Sequence, residues 1–291
     1  MAMVTAKLAL LVALLAASSY GALSSPELRD LWTRTERAVK AAAERFVDED
    51  LTAPVIHPLR PRVGSAEPDP IGVPYDSWRL AVETGNIIDW ETVPAHWLVD
   101  TRKYLIGGQY RQDSKVVVDE AVLYSSSFKL RGSNDTEKEK WVWLFDIDET
   151  VLSSLPYYAK HGFGTKKHNF TSFREYVLEG NSPPLLETRR LYDVVRSIGI
   201  KTVFLSTRKE ELRNITESNL QNKGFSDWFK LLLKPNDCNG TALVYKSGER
   251  KKLQDAGYEI VGSIGDQWSD LIGQAEGKRL FKVPNPIYYI P

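Results

Sequence analysis

The stretch Trp141-Val142-Trp143-Leu144-Phe145-Asp146-Ile147-Asp148-Glu149-Thr150 decides the fold class of this chain. Its five apolar residues followed at once by acidic ones are typical of a buried strand that ends at a polar site. Further short apolar runs lie at 201–206, 229–233, 259–264 and 279–283, and helical patterning separates them at 185–198, 210–223 and 247–255. This alternation predicts an α/β fold with a parallel sheet over residues 141–291.

Length and composition indicate an ordered globular protein. The chain has 291 residues, of which 42% are hydrophobic and 26% charged, enough to bury a sizeable core. Lys and Arg together equal Asp and Glu together, at 38 each. Because nucleic-acid binding relies on an excess of basic residues, this balance predicts that no nucleic acid is bound.

The first residues have the pattern of a secretory signal peptide over 1–21. Lys7 precedes ten apolar residues, Leu8 to Ala17, and small residues follow as cleavage candidates. A membrane-spanning helix needs about 20 apolar residues, so the mature chain is not expected to associate with a membrane. Entry into the secretory pathway leaves two destinations open, the extracellular space with the cell wall and the vacuole.

Glycosylation and cysteine content fit the same route. Four Asn-X-Thr sequons make Asn134, Asn169, Asn214 and Asn239 candidate glycosylation sites in a glycosylating lumen. The single cysteine, Cys238, excludes an intrachain disulfide, so the core must supply the stability.

Residues 22–140 are predicted to form a helical N-terminal region. Apolar residues recur at helical spacing after Ser25-Pro26-Glu27, and helical patterning resumes from Trp78 to Ser127 with breaks at Pro94 and Gly107-Gly108. Exposed aromatic residues in this region could support a homodimer.

The residues with chemical potential follow the apolar runs. In a parallel sheet of this class, ligands bind at the carboxyl ends of the strands. Asp146 and Asp148 end the first run, Ser206 and Thr207 the second, Lys246 precedes the helix predicted at 247–255, and Asp266 and Asp270 follow the run at 259–264. Clustered carboxylates need a cation, and oxygen ligands of this kind suit Mg²⁺, while Lys246 and the hydroxyls suit a phosphate group.

The order of these motifs resembles the haloacid dehalogenase (HAD) superfamily. The matching strings are Asp-X-Asp-X-Thr at 146–150, Ser206, Lys246, and Gly-Asp-X-X-X-Asp at 265–270. Further strings, among them Gly107-Gly108-Gln109-Tyr110 and Val283-Pro284-Asn285-Pro286, are similar to the plant acid phosphatase and vegetative storage protein family. The resemblance covers nearly the whole mature chain and implies a HAD-like Rossmannoid sheet with a small helical cap inserted at about 153–184.

The resemblance also implies a phosphatase acting on small phosphomonoesters. Asp146 would attack phosphorus and form an aspartyl-phosphate, and Asp148 would protonate the leaving oxygen and then activate water. Mg²⁺ would contact the side chains of Asp146 and Asp266 and the backbone carbonyl of Asp148, with Asp270 in support. Ser206, Thr207 and Lys246 would bind the phosphate.

Three questions stay open at the level of sequence. Arg208 is as well explained by a structural salt bridge as by phosphate binding. A vegetative storage protein with weak or no catalysis is the alternative function, although Asp146, which storage members can lack, is retained. Cysteines are common in the family near the positions of Tyr75 and Trp97, so a local disulfide is absent here.

Overall fold

The structure is a computed structural model that describes residues 74–130 and 139–291. The predicted signal peptide, the helix predicted after Ser25 and the sequon at Asn134 lie outside the described residues.

The centre of the fold is a five-stranded parallel sheet, as the alternating pattern predicts. Its strands are β1 (Trp141–Phe145), β2 (Lys201–Lys209), β3 (Lys230–Lys234), β4 (Glu259–Gly265) and β5 (Leu280–Lys282), arranged in the order β3-β2-β1-β4-β5. The strands that carry the acidic and hydroxyl motifs, β1, β2 and β4, are therefore adjacent in the middle of the sheet. Because all pairs are parallel, their carboxyl ends lie at one edge.

The helices of the described residues precede the sheet or connect its strands. They are α1 (Tyr75–Glu83), α2 (Leu98–Ile106), α3 (Gln109–Leu130), α4 (Leu155–Lys160), α5 (Phe170–Leu178), α6 (Leu186–Ser197), α7 (Arg213–Asn222), α8 (Ala242–Asp255) and α9 (Trp268–Leu271). Among these helices, none is long and apolar enough to pass through a lipid bilayer.

Burial on both faces explains the uninterrupted apolar sequence of β1. Trp141, Trp143 and Phe145 point to one face, where they pack with α3 and α6. Val142 and Leu144 point to the other face and pack with residues of α8. Since side chains alternate along a strand, only a strand covered on both sides needs five consecutive apolar residues.

One helix begins earlier than the sequence pattern predicts. The helix predicted at 247–255 starts at Ala242, because Thr241 caps it and its hydroxyl accepts a hydrogen bond from the Val244 amide at 3.3 Å. Lys246 therefore lies inside α8 and not in the loop before it.

Tyr75 and Trp97, the two positions near which the resemblance implies cysteines, are neighbours in space. The rings of Tyr75 and Trp97 have their centres 5.9 Å apart, and Trp78 and Tyr104 lie at similar distances from Tyr75. An aromatic cluster thus joins the start of α1 to α2, and such ring pairs contribute about 0.5–1.5 kcal/mol each.

Candidate active site

A cavity of about 410 Å³ opens at the carboxyl edge of the sheet. Its polar floor contains most of the residues that the sequence singled out, namely Asp146, Asp148, Thr207, Lys246, Asp266 and Asp270, together with Arg208. The sheet order explains the convergence, because β1 stands between β2 and β4.

Lys246 binds two carboxylates at the floor of the cavity. Its Nζ donates to Oδ1 of Asp146 and to Oδ1 of Asp270, and the three side chains are only 4%, 8% and 5% exposed respectively. Burial alone would lower the pKa of Lys246, but the two carboxylates more than offset it and raise that pKa. The lysine is therefore a permanent cation.

Asp266 is held from three sides. Its Oδ1 accepts a hydrogen bond from the Thr150 hydroxyl at 3.1 Å, and its Oδ2 accepts from the side-chain amides of Gln267 at 2.8 Å and Asn285 at 2.7 Å. Asp270 is similarly fixed, because its Oδ2 accepts a hydrogen bond from the backbone N–H of Gln267 at 2.9 Å. These bonds leave the carboxylates little freedom to rotate.

The carboxylates of this cluster are short of positive charge. Burial, reinforced by Asp270, raises the pKa of Asp146 well above its usual range, and Lys246 only partly opposes this. Burial and the charge of Asp270 also raise the pKa of Asp266, to about 7. A second cation near both groups would stabilise their ionised forms.

The donor atoms suit a hard divalent cation. Carboxylate oxygens of Asp146, Asp266 and Asp270 lie within 4.8 Å of one another. One oxygen of Asp146 faces Lys246, so the other is available, and oxygen-only donor sets of this size fit Mg²⁺. This acidic cluster is therefore a candidate metal site.

Asp148 lies in a bidentate salt bridge with Arg208. The guanidinium donates from Nη2 to Oδ1 at 2.8 Å and from Nε to Oδ2 at 3.0 Å, and it is only 4% exposed. Its third nitrogen, Nη1, donates to the hydroxyl of Thr216 at 3.2 Å. The salt bridge is thus one of the two alternatives that the sequence left open for Arg208, and it orients Asp148 at the cavity.

The two hydroxyl residues after β2 have different positions. Thr207 lines the cavity, whereas Ser206 is 1% exposed and does not contribute to its wall. The Ser206 hydroxyl accepts a hydrogen bond from the Arg208 amide at 3.1 Å. Phosphate binding by Ser206 and Thr207 stays a prediction.

Four further residues support the site and were not singled out from the sequence. Glu149 is buried, with its Oε2 accepting from the Tyr288 hydroxyl at 2.7 Å, and burial with the nearby Asp148 raises its pKa to about 8. Tyr288 is the second of the four, and the other two are Gln267 and Asn285, whose side-chain amides donate to Asp266. In the sequence, Glu149 stands out only as an acid directly after Asp148, and Asn285 only as an amide between two prolines. Neither pattern shows which residue the side chain binds.

The upper walls of the cavity are largely apolar. One side comes from α4 and α5 and the other from the residues after β5. The apolar lining residues are Tyr158, Phe170, Phe173, Val177, Tyr288, Tyr289 and Ile290, and charged side chains such as Arg174 and Glu211 also reach the cavity. Charged floor and apolar walls together suit a ligand with an anionic group at one end.

Comparison with known proteins decides the family. The family model described as HAD superfamily, subfamily IIIB (Acid phosphatase) matches residues 70–291. The chain belongs to this acid phosphatase family. The resemblance drawn from the sequence motifs and the phosphoric monoester hydrolase class are thereby confirmed.

Plant relatives of this chain carry three kinds of name. Vegetative storage protein 2 of Arabidopsis thaliana is 46% identical over 217 residues, covering 74% of this chain and 80% of the relative. Stem 28 kDa glycoprotein of Glycine max is 45% identical over 236 residues, covering 80% and 90%. Acid phosphatase 1 of Solanum lycopersicum is 41% identical over 215 residues, covering 74% and 82%.

A solved structure supports the HAD-type fold. The class C acid phosphatase of Bacillus anthracis, with tungstate bound, superposes with a TM-score of 0.55 at 20% identity. The match covers 67% of this chain and 86% of the bacterial one.

Proposed function

We propose that this acid phosphatase hydrolyses small phosphomonoesters through an aspartyl-phosphate on Asp146. The observation that carries the proposal is the buried Asp146 carboxylate at the cavity floor, paired with Lys246 and close to Asp266. A carboxylate fixed in this way can attack phosphorus in line, while the adjacent cation compensates the charge of the phosphoryl oxygens.

The first step transfers the phosphoryl group to the protein. An oxygen of Asp146 forms a bond to phosphorus and the bond from phosphorus to the ester oxygen breaks. Asp148, which must first take up a proton and give up one hydrogen bond from Arg208, transfers that proton to the departing alcohol. Lys246 and Thr207 would hold the phosphoryl oxygens during this transfer, with Ser206 a further candidate.

The second step releases phosphate. Asp148, now ionised, takes a proton from water, and the water oxygen displaces Asp146 from phosphorus. Arg208 fits this step, because its two hydrogen bonds orient the Asp148 carboxylate. The same pair of aspartates thus serves as nucleophile and as acid and base.

Mg²⁺ is the divalent cation we assign to the acidic cluster. The side chains of Asp146 and Asp266 and the backbone carbonyl of Asp148 would hold it, with Asp270 fixing Lys246 beside it. When bound, it would neutralise charge on the phosphate and on Asp146. The raised pKa values of Asp146 and Asp266 support this assignment.

The insertion between β1 and α6 is proposed to act as a cap over the site. Residues from α4 and α5 line the upper cavity, within the range 153–184 that the sequence indicates. Entry into the secretory pathway through residues 1–21, with the cell exterior or the vacuole as destination, and a homodimer remain parts of the same proposal.

The decisive experiment replaces the nucleophile. Asp146→Asn keeps the size of the side chain but removes the attacking charge, so hydrolysis of p-nitrophenyl phosphate should fall about a thousandfold or more. Asp255→Asn is the matched control, because Asp255 pairs with Lys251 at the exposed end of α8 and should leave the rate unchanged. Equal activity of the two variants would refute the assignment of Asp146.

A storage function is the second candidate, because one of the relatives described above is named vegetative storage protein. The presence of Asp146, Asp148 and Lys246 together at the cavity floor argues for catalysis in this chain. A purified wild-type protein that turns over p-nitrophenyl phosphate no faster than Asp146→Asn would favour storage.

A further inference from the structure

The three sequons within the described residues lie in connections at the edge of the sheet where the strands end and the cavity opens. Asn169 follows β1 and is the N-cap of α5, Asn214 lies in the first turn of α7 after β2, and Asn239 lies between β3 and α8. All three asparagines are exposed. Each is thus in a connection that leaves the carboxyl ends of the strands, where the cavity opens.

Asn169 lies closest to the cavity along the chain. Both of its neighbours, His168 and Phe170, line the cavity, and the Phe170 side chain is 81% exposed. The other two sequon asparagines are separated by one or two residues from Leu212 and Ala242, which also line it. A group attached to Asn169 would therefore begin directly at the rim.

The local geometry of Asn169 is compatible with a glycan. Its Oδ1 accepts a hydrogen bond from the Ser172 amide at 3.1 Å, and its backbone carbonyl accepts one from the Tyr157 hydroxyl at 3.3 Å. A glycan is joined through the amide nitrogen, so the helix cap can persist after modification. The attachment point is then fixed at the rim.

The sequon threonines differ in what they do for the fold. The Thr216 hydroxyl accepts from Arg208, and the Thr241 hydroxyl caps α8, so both have structural reasons to be present. Thr171 is exposed, and its hydroxyl takes part in none of the hydrogen bonds found within 74–130 and 139–291. Thr171 is therefore the sequon threonine that can be replaced without breaking one of the hydrogen bonds found within these residues.

We propose that an N-linked glycan on Asn169 covers part of the cavity mouth and limits the phosphatase to small phosphomonoesters. This inference rests on the proposed phosphomonoesterase activity and on passage through a glycosylating compartment. A hydrated oligosaccharide at the rim leaves room for a small ester to diffuse to Asp146. It opposes the approach of a phosphoprotein, whose long polypeptide chain must pass against the same rim.

The test uses the full chain produced in plant cells, with occupancy of Asn169 measured by mass spectrometry. Thr171→Val removes the sequon with little change of shape and leaves Asn169 to cap α5. Asn169→Asp removes the glycan but keeps an oxygen that can accept from Ser172. Asn239→Gln, which removes a sequon farther from the cavity residues along the chain, is the control.

Two substrates are compared, p-nitrophenyl phosphate and intact phosphorylated casein. We expect Asn169 to be occupied in the wild type, and both rim variants to raise kcat/KM for casein several-fold with kcat/KM for p-nitrophenyl phosphate unchanged. The control variant should match the wild type on both substrates.

Three outcomes contradict the inference: an unoccupied Asn169, an unchanged ratio of the two kcat/KM values in both rim variants, or an equal rise in Asn239→Gln. Inactivity of every protein toward p-nitrophenyl phosphate would instead refute the proposed function, so the two failures are distinguishable.

Discussion

Replacement of Lys246 by methionine tests whether the buried cation is essential to both stability and phosphate binding. Methionine has similar length and no charge, so Lys246→Met leaves the carboxylates of Asp146 and Asp270 buried without their shared partner. Breaking a buried ion pair by removing one partner costs about 3–5 kcal/mol. We expect the free energy of unfolding of the metal-free protein to fall by that amount at pH 7.

The loss should depend on pH in a defined direction. Burial raises the pKa of Asp146 above its value in the unfolded chain, and removing Lys246 leaves this effect unopposed. A group whose folded pKa is raised contributes stability below its unfolded pKa, about 3.9 for Asp, and that contribution is lost as the pH rises through the folded pKa. The deficit of Lys246→Met relative to wild type should therefore not be larger at pH 5 than at pH 7.

Urea denaturation followed by tryptophan fluorescence measures both quantities. Lys252→Met is the matched control, since Lys252 belongs to the same helix but pairs with Glu249 at 74% exposure, and such surface pairs contribute about 0–1 kcal/mol. Competitive inhibition by phosphate should weaken in Lys246→Met alone. A loss below about 1 kcal/mol at pH 7, or a larger loss at pH 5 than at pH 7, would refute the buried-cation interpretation.

Three further predictions follow from the contacts around the cavity floor. Arg208→Lys should slow hydrolysis of alkyl phosphates more than that of p-nitrophenyl phosphate, because a misplaced Asp148 matters most when the leaving group needs a proton. The kcat values for the two substrate classes measure this, and an equal decrease of kcat for both would contradict it. Glu149→Gln should make the free energy of unfolding depend less on pH between roughly pH 5 and 8, because the raised pKa of Glu149 makes the wild type lose about 1.4 kcal/mol per pH unit there. Denaturation of the metal-free protein at several pH values measures this, and an equal pH dependence of the two proteins would exclude it. Asn285→Ala should weaken Mg²⁺ binding about 10–100-fold by freeing Asp266, as measured by calorimetry, and unchanged affinity would speak against this support.

The sequence alone was sufficient for the sheet and for most of the residues at the cavity floor, although Ser206 does not line the cavity and Arg208 was left undecided. Five apolar runs became five parallel strands, because a strand buried on both faces needs uninterrupted apolar residues. The polar residues after those runs met at one edge, because parallel strands end together. Boundaries were less certain, as the early start of α8 shows: the cap at Thr241 is a local hydrogen bond that apolar periodicity does not report.

The pairing of those residues was decided by tertiary structure. Asp148 meets Arg208 across 60 positions, Asp146 meets Lys246 across 100, and Asp266 meets Asn285 across 19. Which carboxylate receives which donor depends on the strand order and on the atoms already occupied by neighbouring hydrogen bonds. Local sterics and periodicity thus determined the elements and the motifs they carry, whereas the division of charge and hydrogen bonds among the aspartates required the folded sheet.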